Sequence, residues 1–330
     1  MTDASATALL RGPSLPRPGR SPRLILGLLG LLGLMAVGWP AILPASDTLR
    51  EGEDASFIRP ALSASGAVAE PRYVSTLRAD GRQEVFARFR SFEGDSLSLR
   101  FAMPQEAAQV SAREFGVSAE ELDALAESCR QRPGCDQQEF DRHTQRYYQQ
   151  HALRLSTRPG QASRLFVDVP KVVERNRARV RPVAAALRQL AEQQGQGTDW
   201  MIEAAIALVQ DGLAYRQPST WDGGRKILGF YPPPRALERG YGDCDTKAAL
   251  LAAILQNLTR SPLVGVHVPQ HYLLGISAVP RDGQKYILYE GRPYVLVEAA
   301  GPARRRPGEV APTTQTALAQ MKGLRVDPMF

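Results

Sequence analysis

The segment RGYGDCDTKAALLAAIL, residues 239–255, contains Cys244, the single cysteine of the C-terminal half. Gly240 and Gly242 permit a tight turn, and Asp243 stands where a helix N-cap belongs. Leu250, Leu251, Ile254, Leu255 and Leu258 then follow at helical spacing. The pattern puts Cys244 in the first turn of an apolar helix. Unpaired backbone N–H groups and the helix dipole favour a thiolate there, the nucleophilic form of cysteine. Asp243 and Asp245 oppose it by charge, so a base or cation has to outweigh them. The plain alternative is a structural cysteine beside a turn.

A thiol nucleophile needs a base, and the chain has four histidines. His271 opens HYLLGISAVP, which reads as a strand following the strand VGVHV. Turns at RDGQ and GRP then separate two further strands, KYILYE and YVLVEAA. Glu298, in the last of these, can receive the imidazole N–H and fix its tautomer, with Glu290 as runner-up. His267 is an alternative base, although its flanking valines fit a strand histidine with a structural role. His143 and His151 lie among Gln, Arg and Tyr without partners at metal-ligand spacing, which reads as a solvated helix face. No metal and no cofactor is expected.

YGDCDTKAALLAAIL, followed by QHYLLGI and YVLVEA, resembles the transglutaminase-like superfamily. The upstream DWMIEAAIALVQDGLAY fits the helix-then-Tyr pattern that precedes its cysteine loop. The resemblance spans roughly residues 170–300. It implies an α+β, papain-like core in which a helix bearing the cysteine packs on an antiparallel sheet bearing histidine and acid. Carried over, Cys244 is the nucleophile, His271 the base and Glu298 the orienting acid. The family usually has an aspartate in that role, closer behind the histidine. An upstream aromatic often helps form the oxyanion environment, for which Trp221 and Tyr241 are candidates. The Cys244 N–H, free at a helix start, is a further donor. The implied chemistry is acyl transfer through a thioester on a peptide or amide bond. Water as acceptor makes a protease or amidase, and an amine makes a transglutaminase; exposure to water outside the membrane and the lack of a second recognition motif tilt the reading to hydrolysis.

These residues need elements to hold them. The chain reads as a disordered cytoplasmic tail (1–22), a transmembrane anchor or uncleaved signal (23–46), a linker (47–70) and an accessory strand-plus-helix domain (71–164). The transglutaminase-like domain (165–300) and a C-terminal tail (301–330) complete it. Leu24–Ser46 carries no charge; Arg11, Arg17, Arg20 and Arg23 precede it, and Asp47, Glu51, Glu53 and Asp54 follow. That asymmetry orients a single pass through the inner membrane with the N-terminus inside and the main body periplasmic. A signal cleavage after Ala45 would have Leu43 at the minus-three position, a poor small-residue site, which favours the anchor.

In the accessory region, RYVSTLRA, QEVFARFRSF and SLSLRFAM alternate like a small antiparallel meander. VSAEELDALAESCRQ opens with a serine cap and a Glu three positions on, and QQEFDRHTQRYYQQHALRL is a second helix running into a strand. Beyond residue 164, SRLFVDVP reads as a strand and VVERNRARVRPVAAALRQLAEQ as a helix restarted at Pro182. TDWMIEAAIALVQDG is a helix capped by Thr198 and stopped at Gly212.

Export gives the other cysteines meaning. Cys129 and Cys135 frame CRQRPGC and either close a small disulfide loop or remain two unrelated thiols. The formal charge of +7 comes from arginines spread along the chain without a base-stacking motif, so no nucleic-acid partner is expected. A basic surface near an anionic membrane is the plainer use. Lys247 and Asp245 are expected on the exposed side of the first turn of their helix, and RARVR (177–181) and RRR (304–306) as solvated charge runs, the latter with lipid or an acidic partner as an alternative contact. The expected partner is a protein or peptide substrate, the cell envelope being one source. Two other functions remain open: a catalytically silent transglutaminase-like binding or scaffold module, and assistance in assembling an envelope polymer, which only the topology supports.

Overall fold

Alternation builds the first layer. Tyr73–Leu77 (β1), Arg82–Arg90 (β2) and Ser96–Pro104 (β3) form an antiparallel meander in that order. Every second side chain of β2 and β3, including Val85, Ala87, Phe89, Leu97, Leu99, Phe101 and Met103, is buried, the period of a sheet with one covered face. The computed structural model describes residues 72–157, 163–320 and 324–329, all within one compact unit. The tail, membrane segment and linker expected over 1–70 lie outside the described residues. Among the described residues no helix is long and apolar enough to cross a membrane.

Helices Gln105–Arg113 (α1), Ala119–Gln131 (α2) and Gln137–Gln150 (α3) follow, with the short strand Val117–Ser118 (β4) before α2. The Ser118 hydroxyl accepts from the Glu121 N–H and the Asp136 carboxylate from the Glu139 N–H, so both helix starts are capped. Between them Cys129 and Cys135 are joined as a disulfide with Cα atoms 5.5 Å apart. The pair Leu153–Ser156 (β5) and Arg164–Val167 (β6) leads to Val169–Asn176 (α4) and Arg181–Gln193 (α5), the latter restarted with Pro182 in its first turn. Thr198–Ala207 (α6) runs into a π-helical turn, Leu208–Gly212. Its N-cap is Gly197, one residue before the expected Thr198.

Next come the two-residue strands Ala214–Tyr215 (β7), Trp221–Asp222 (β8) and Arg225–Lys226 (β9), then Pro233–Arg239 (α7), Tyr241–Gly242 (β10) and Cys244–Leu258 (α8). Leu263–Val268 (β11), His271–Ser277 (β12), Tyr286–Tyr289 (β13) and Arg292–Val297 (β14) are followed by Pro312–Gln320 (α9) and Arg325–Met329 (β15). These five strands make an antiparallel sheet in the order β13-β14-β12-β11-β15. The segment expected as a C-terminal tail thus supplies a helix and an edge strand.

The chain is a mixed α+β structure organised around α8. From Thr246 to Leu255 every residue of that helix is buried, because α4, α5, α6 and α7 wrap it and β12 covers its remaining side. A helix apolar on all sides belongs inside. The same continuous core takes in Phe89 of the meander, Tyr148 of α3 and Met329 of β15, so the segments 71–164 and 165–300 share it.

Candidate active site

The turn before α8 delivers Cys244. Gly240 ends α7 in the left-handed conformation (φ 73°), and a Cβ there would collide with the Tyr73 ring. Tyr241 and Gly242 then pair in parallel with Ala214 and Tyr215. Asp243 occupies the N-cap position, but among the described residues its side chain makes no capping bond and its Oδ1 has no hydrogen-bond partner. Its carboxyl lies against that of Asp245, whose own Oδ1 accepts from the Thr246 N–H at 2.8 Å. Burial and the neighbouring Asp243 charge hold Asp245 well above the usual carboxylate range.

Cys244 is a free, partly buried thiol at the first position of α8. The backbone N–H groups of Tyr272 and Asp245 donate to its sulfur. Burial, then the charges of Asp245 and Asp243, push the thiol up to about 12, and these two N–H bonds offset that only in part. The expected lowering by the helix start is therefore outweighed in the resting protein. Desolvation and two adjacent carboxyls exceed the field of one helix turn.

His271 enters β12 from a tight turn in which Gln270 adopts φ 62°. Its Nε2 lies 3.6 Å from Glu298 Oε1, an ion-pair contact slightly longer than a hydrogen bond. The next residue, Tyr272, donates its N–H to the Cys244 sulfur, so α8 packs against β12 beside His271. Glu298 follows β14 and is buried. It accepts from the Ala311 N–H at 3.0 Å, the Thr314 hydroxyl at 2.6 Å and Arg305 Nε at 3.0 Å. Burial alone would raise this carboxyl, but His271, Thr314 and the Ala311 N–H together hold it at about 2, so it is ionised.

The alternatives sit elsewhere. Glu290 is exposed at the β13–β14 turn, against Tyr289. His267 pairs with Asp327 at 3.0 Å and packs edge-on to the Tyr272 ring. Trp221 is exposed on β8. Tyr241 bonds Tyr231 through the hydroxyls at 3.0 Å and lies under the Arg216 guanidinium. The aromatic that does reach the thiol is Tyr215, next to Gly242 across the β7–β10 pair. Burial, then Cys244, Asp243 and Asp245, push its phenol up to about 12. It ends the helix-then-Tyr segment, which was the available signal. His143 sits on a helix face with Glu139 and Arg132, whereas His151 Nδ1 is bound to Arg225 Nη2 at 2.9 Å and is not a solvated residue.

Two charge expectations are corrected. Lys247 has no exposed surface. Because α8 is surrounded, the side chain turns inward and donates to the carbonyls of Gln210 (3.3 Å) and Leu213 (3.0 Å), and burial lowers the amine to about 7. The 304–306 run is not simply solvated: Arg304 donates to the Ser91 carbonyl, Arg305 to Glu298, and Arg306 to Glu93 and Glu203. Gln210, in the π-helical turn, was not singled out from sequence. Its Nε2 donates to the carbonyls of Glu298 (2.6 Å) and Arg305 (3.0 Å), and its Oε1 accepts from the Arg305 N–H (3.0 Å).

A cavity of about 460 Å³ opens beside His271, lined also by Glu298, Arg305, Thr313 and Tyr215. Among the described residues no three His, Cys, Asp or Glu side chains come together as a metal site. The chain matches no protein-family model, no curated protein and no solved structure.

Proposed function

We propose that this protein is a membrane-anchored, exported thiol enzyme that transfers acyl groups from peptide or amide bonds. Cys244 attacks the carbonyl while His271 takes the thiol proton. The imidazolium, steadied by Glu298, then protonates the leaving amine as the C–N bond breaks. The thioester is resolved by water, or by an amine, with His271 again accepting the proton. The N–H of Cys244, at the helix start, and the Tyr215 phenol are the candidate oxyanion donors. The observation that carries the reading is a single junction. Residue 272 donates its N–H to the nucleophilic sulfur while residue 271 presents its imidazole to an ionised carboxylate.

A helix opened by cysteine and packed on an antiparallel sheet that carries histidine and acid is the arrangement the transglutaminase-like resemblance implies, and this supports it. With the thiol raised, proton transfer accompanies attack and no ion pair is stored beforehand. The Cys129–Cys135 bond fits the oxidising compartment that an N-terminal anchor with its body outside requires.

The raised thiol also favours a second reading, a silent binding or scaffold module of the envelope built on the same fold. The rate of iodoacetamide labelling at Cys244 against pH, with and without His271→Ala, separates the two. Enzyme chemistry predicts labelling that weakens strongly in the variant. Labelling indifferent to His271 moves the assignment to the binding module.

A further inference from the structure

Arg305 is held more firmly than its own side chain requires. Gln210 grips its backbone at both N–H and C=O, so the segment is fixed without help from the guanidinium. The side chain nonetheless turns to the site and spends one donor, Nε, on Glu298 Oε2. Its two Nη groups have no hydrogen-bond partner among the described residues, and the residue lines the cavity beside His271. His271 and Arg305 thus approach the two oxygens of one carboxylate, the imidazole at Oε1 and the guanidinium at Oε2.

The remaining wall is matched to a short, partly aliphatic ligand. Val268, Ala300 and Ala303 supply apolar surface, and the Thr313 hydroxyl has no partner among the described residues. Asp243 and Asp245 do not line the space. A guanidinium with both Nη groups left over keeps the planar donors that carboxylates bind in bidentate fashion, and apolar walls strengthen such a contact. Its orientation is already fixed through Nε, so little ordering is left for binding.

We propose that this cavity is a substrate subsite for a carboxylate, read by the Nη fork of Arg305, and that the acyl-transfer centre therefore prefers substrates with a carboxylate a few bonds from the scissile amide. The inference rests on the thiol-enzyme reading and adds the substrate class. The carboxylate is either a chain-terminal one or an acidic side chain.

The test uses the full-length protein and alkylating probes that differ by one carboxylate: bromoacetyl-glycine against bromoacetyl-glycinamide. The α-amide of bromoacetyl-aspartate, whose only carboxylate is on the side chain, forms a third arm. All three react with the same thiolate, so rate ratios cancel any effect of a mutation on Cys244 itself. A charge-assisted bidentate contact predicts that a carboxylated probe outpaces the neutral one about tenfold. Arg305→Met abolishes that ratio, Arg305→Lys keeps part of it, and Arg292→Met, an exposed change removing the same charge, leaves it intact. Preference for the glycine probe assigns a terminal carboxylate, and preference for the aspartate amide assigns a side chain. A ratio near one, or one that survives Arg305→Met, overturns the subsite while leaving the thiol reading standing. Failure of Cys244 to react even with the glycinamide overturns both.

Discussion

Lys247 Nζ donates to the backbone carbonyl of Gln210 at 3.3 Å, and the Gln210 side chain holds the backbone of Glu298 and Arg305. Three residues after the candidate nucleophile, one buried amine thus ties its helix to the segment bearing the acid. The link depends on the π-helical turn, which brings Gln210 against the 298–305 loop. Gly301 lies so close to the Gln210 carbonyl that a Cβ would overlap it.

Lys247→Met leaves the carbonyls of Gln210 and Leu213 without their donor, at a cost of about 1–3 kcal/mol. The wild-type amine, lowered to about 7, also links stability to pH. Between pH 7 and the unfolded value of 10.5 the unfolded chain binds the extra proton, so stability rises with pH across that window. Urea midpoints at pH 7 and 9.5 should climb in the wild type and lose that component in Lys247→Met.

Glu298 is held at about 2 against an ordinary 4.5. Its contribution, on the order of 3 kcal/mol, is present above pH 4.5 and is lost as pH falls through 2. Glu298→Gln should flatten acid unfolding over that range and, by removing the partner of His271, slow iodoacetamide labelling of Cys244. Unchanged labelling with a flattened acid limb would assign the carboxylate to stability alone.

After burial itself, the Asp245 carboxyl does most to raise the thiol. Asp245→Asn should therefore lower the thiol's pKa and speed alkylation at pH 8 severalfold, while the Thr246 N–H keeps an oxygen acceptor. Slower alkylation would mean that the acidic pair orders the turn more than it opposes the thiolate.

His151 is kept neutral chiefly by burial and by Arg225, whose Nη2 donates to its Nδ1. Its native pKa is below the ordinary 6.5, so the unfolded chain takes up protons first as pH falls. Stability present above 6.5 is lost below it, down to the native value. Melting temperatures at pH 7.5 and 5.5 should fall in the wild type, and His151→Gln should remove that part of the drop.

How much of this was legible depended on range. The apolar run after Cys244 marks α8 and the period-two runs mark the meander, because backbone geometry imposes 3.6 and 2 residue repeats on the chain itself, while short apolar runs between turns mark β11 to β14. The Ser118 cap and the Pro182 restart are equally local. Lys247 was misread as exposed because a polar residue on a helix faces water by default, and only its burial among α4 to α7 and β12 removes every such face.

Gln210 and Arg305 carry no spacing signal towards Cys244, and Tyr215 carries only the helix-then-Tyr pattern. They approach the site through a parallel bridge, a π-helical turn and the loop between β14 and α9. The β15 strand finds its partner only in β11, far back along the chain. Local spacing marked α8, the meander and β11 to β14 and the residues able to do chemistry, but not α9 or β15. Tertiary packing alone decided that the thiol rests protonated, that Glu298 is ionised and shared between His271 and Arg305, and that Arg305 lines the cavity beside them. Burial and long-range contact set those energies, and neither is written in local spacing.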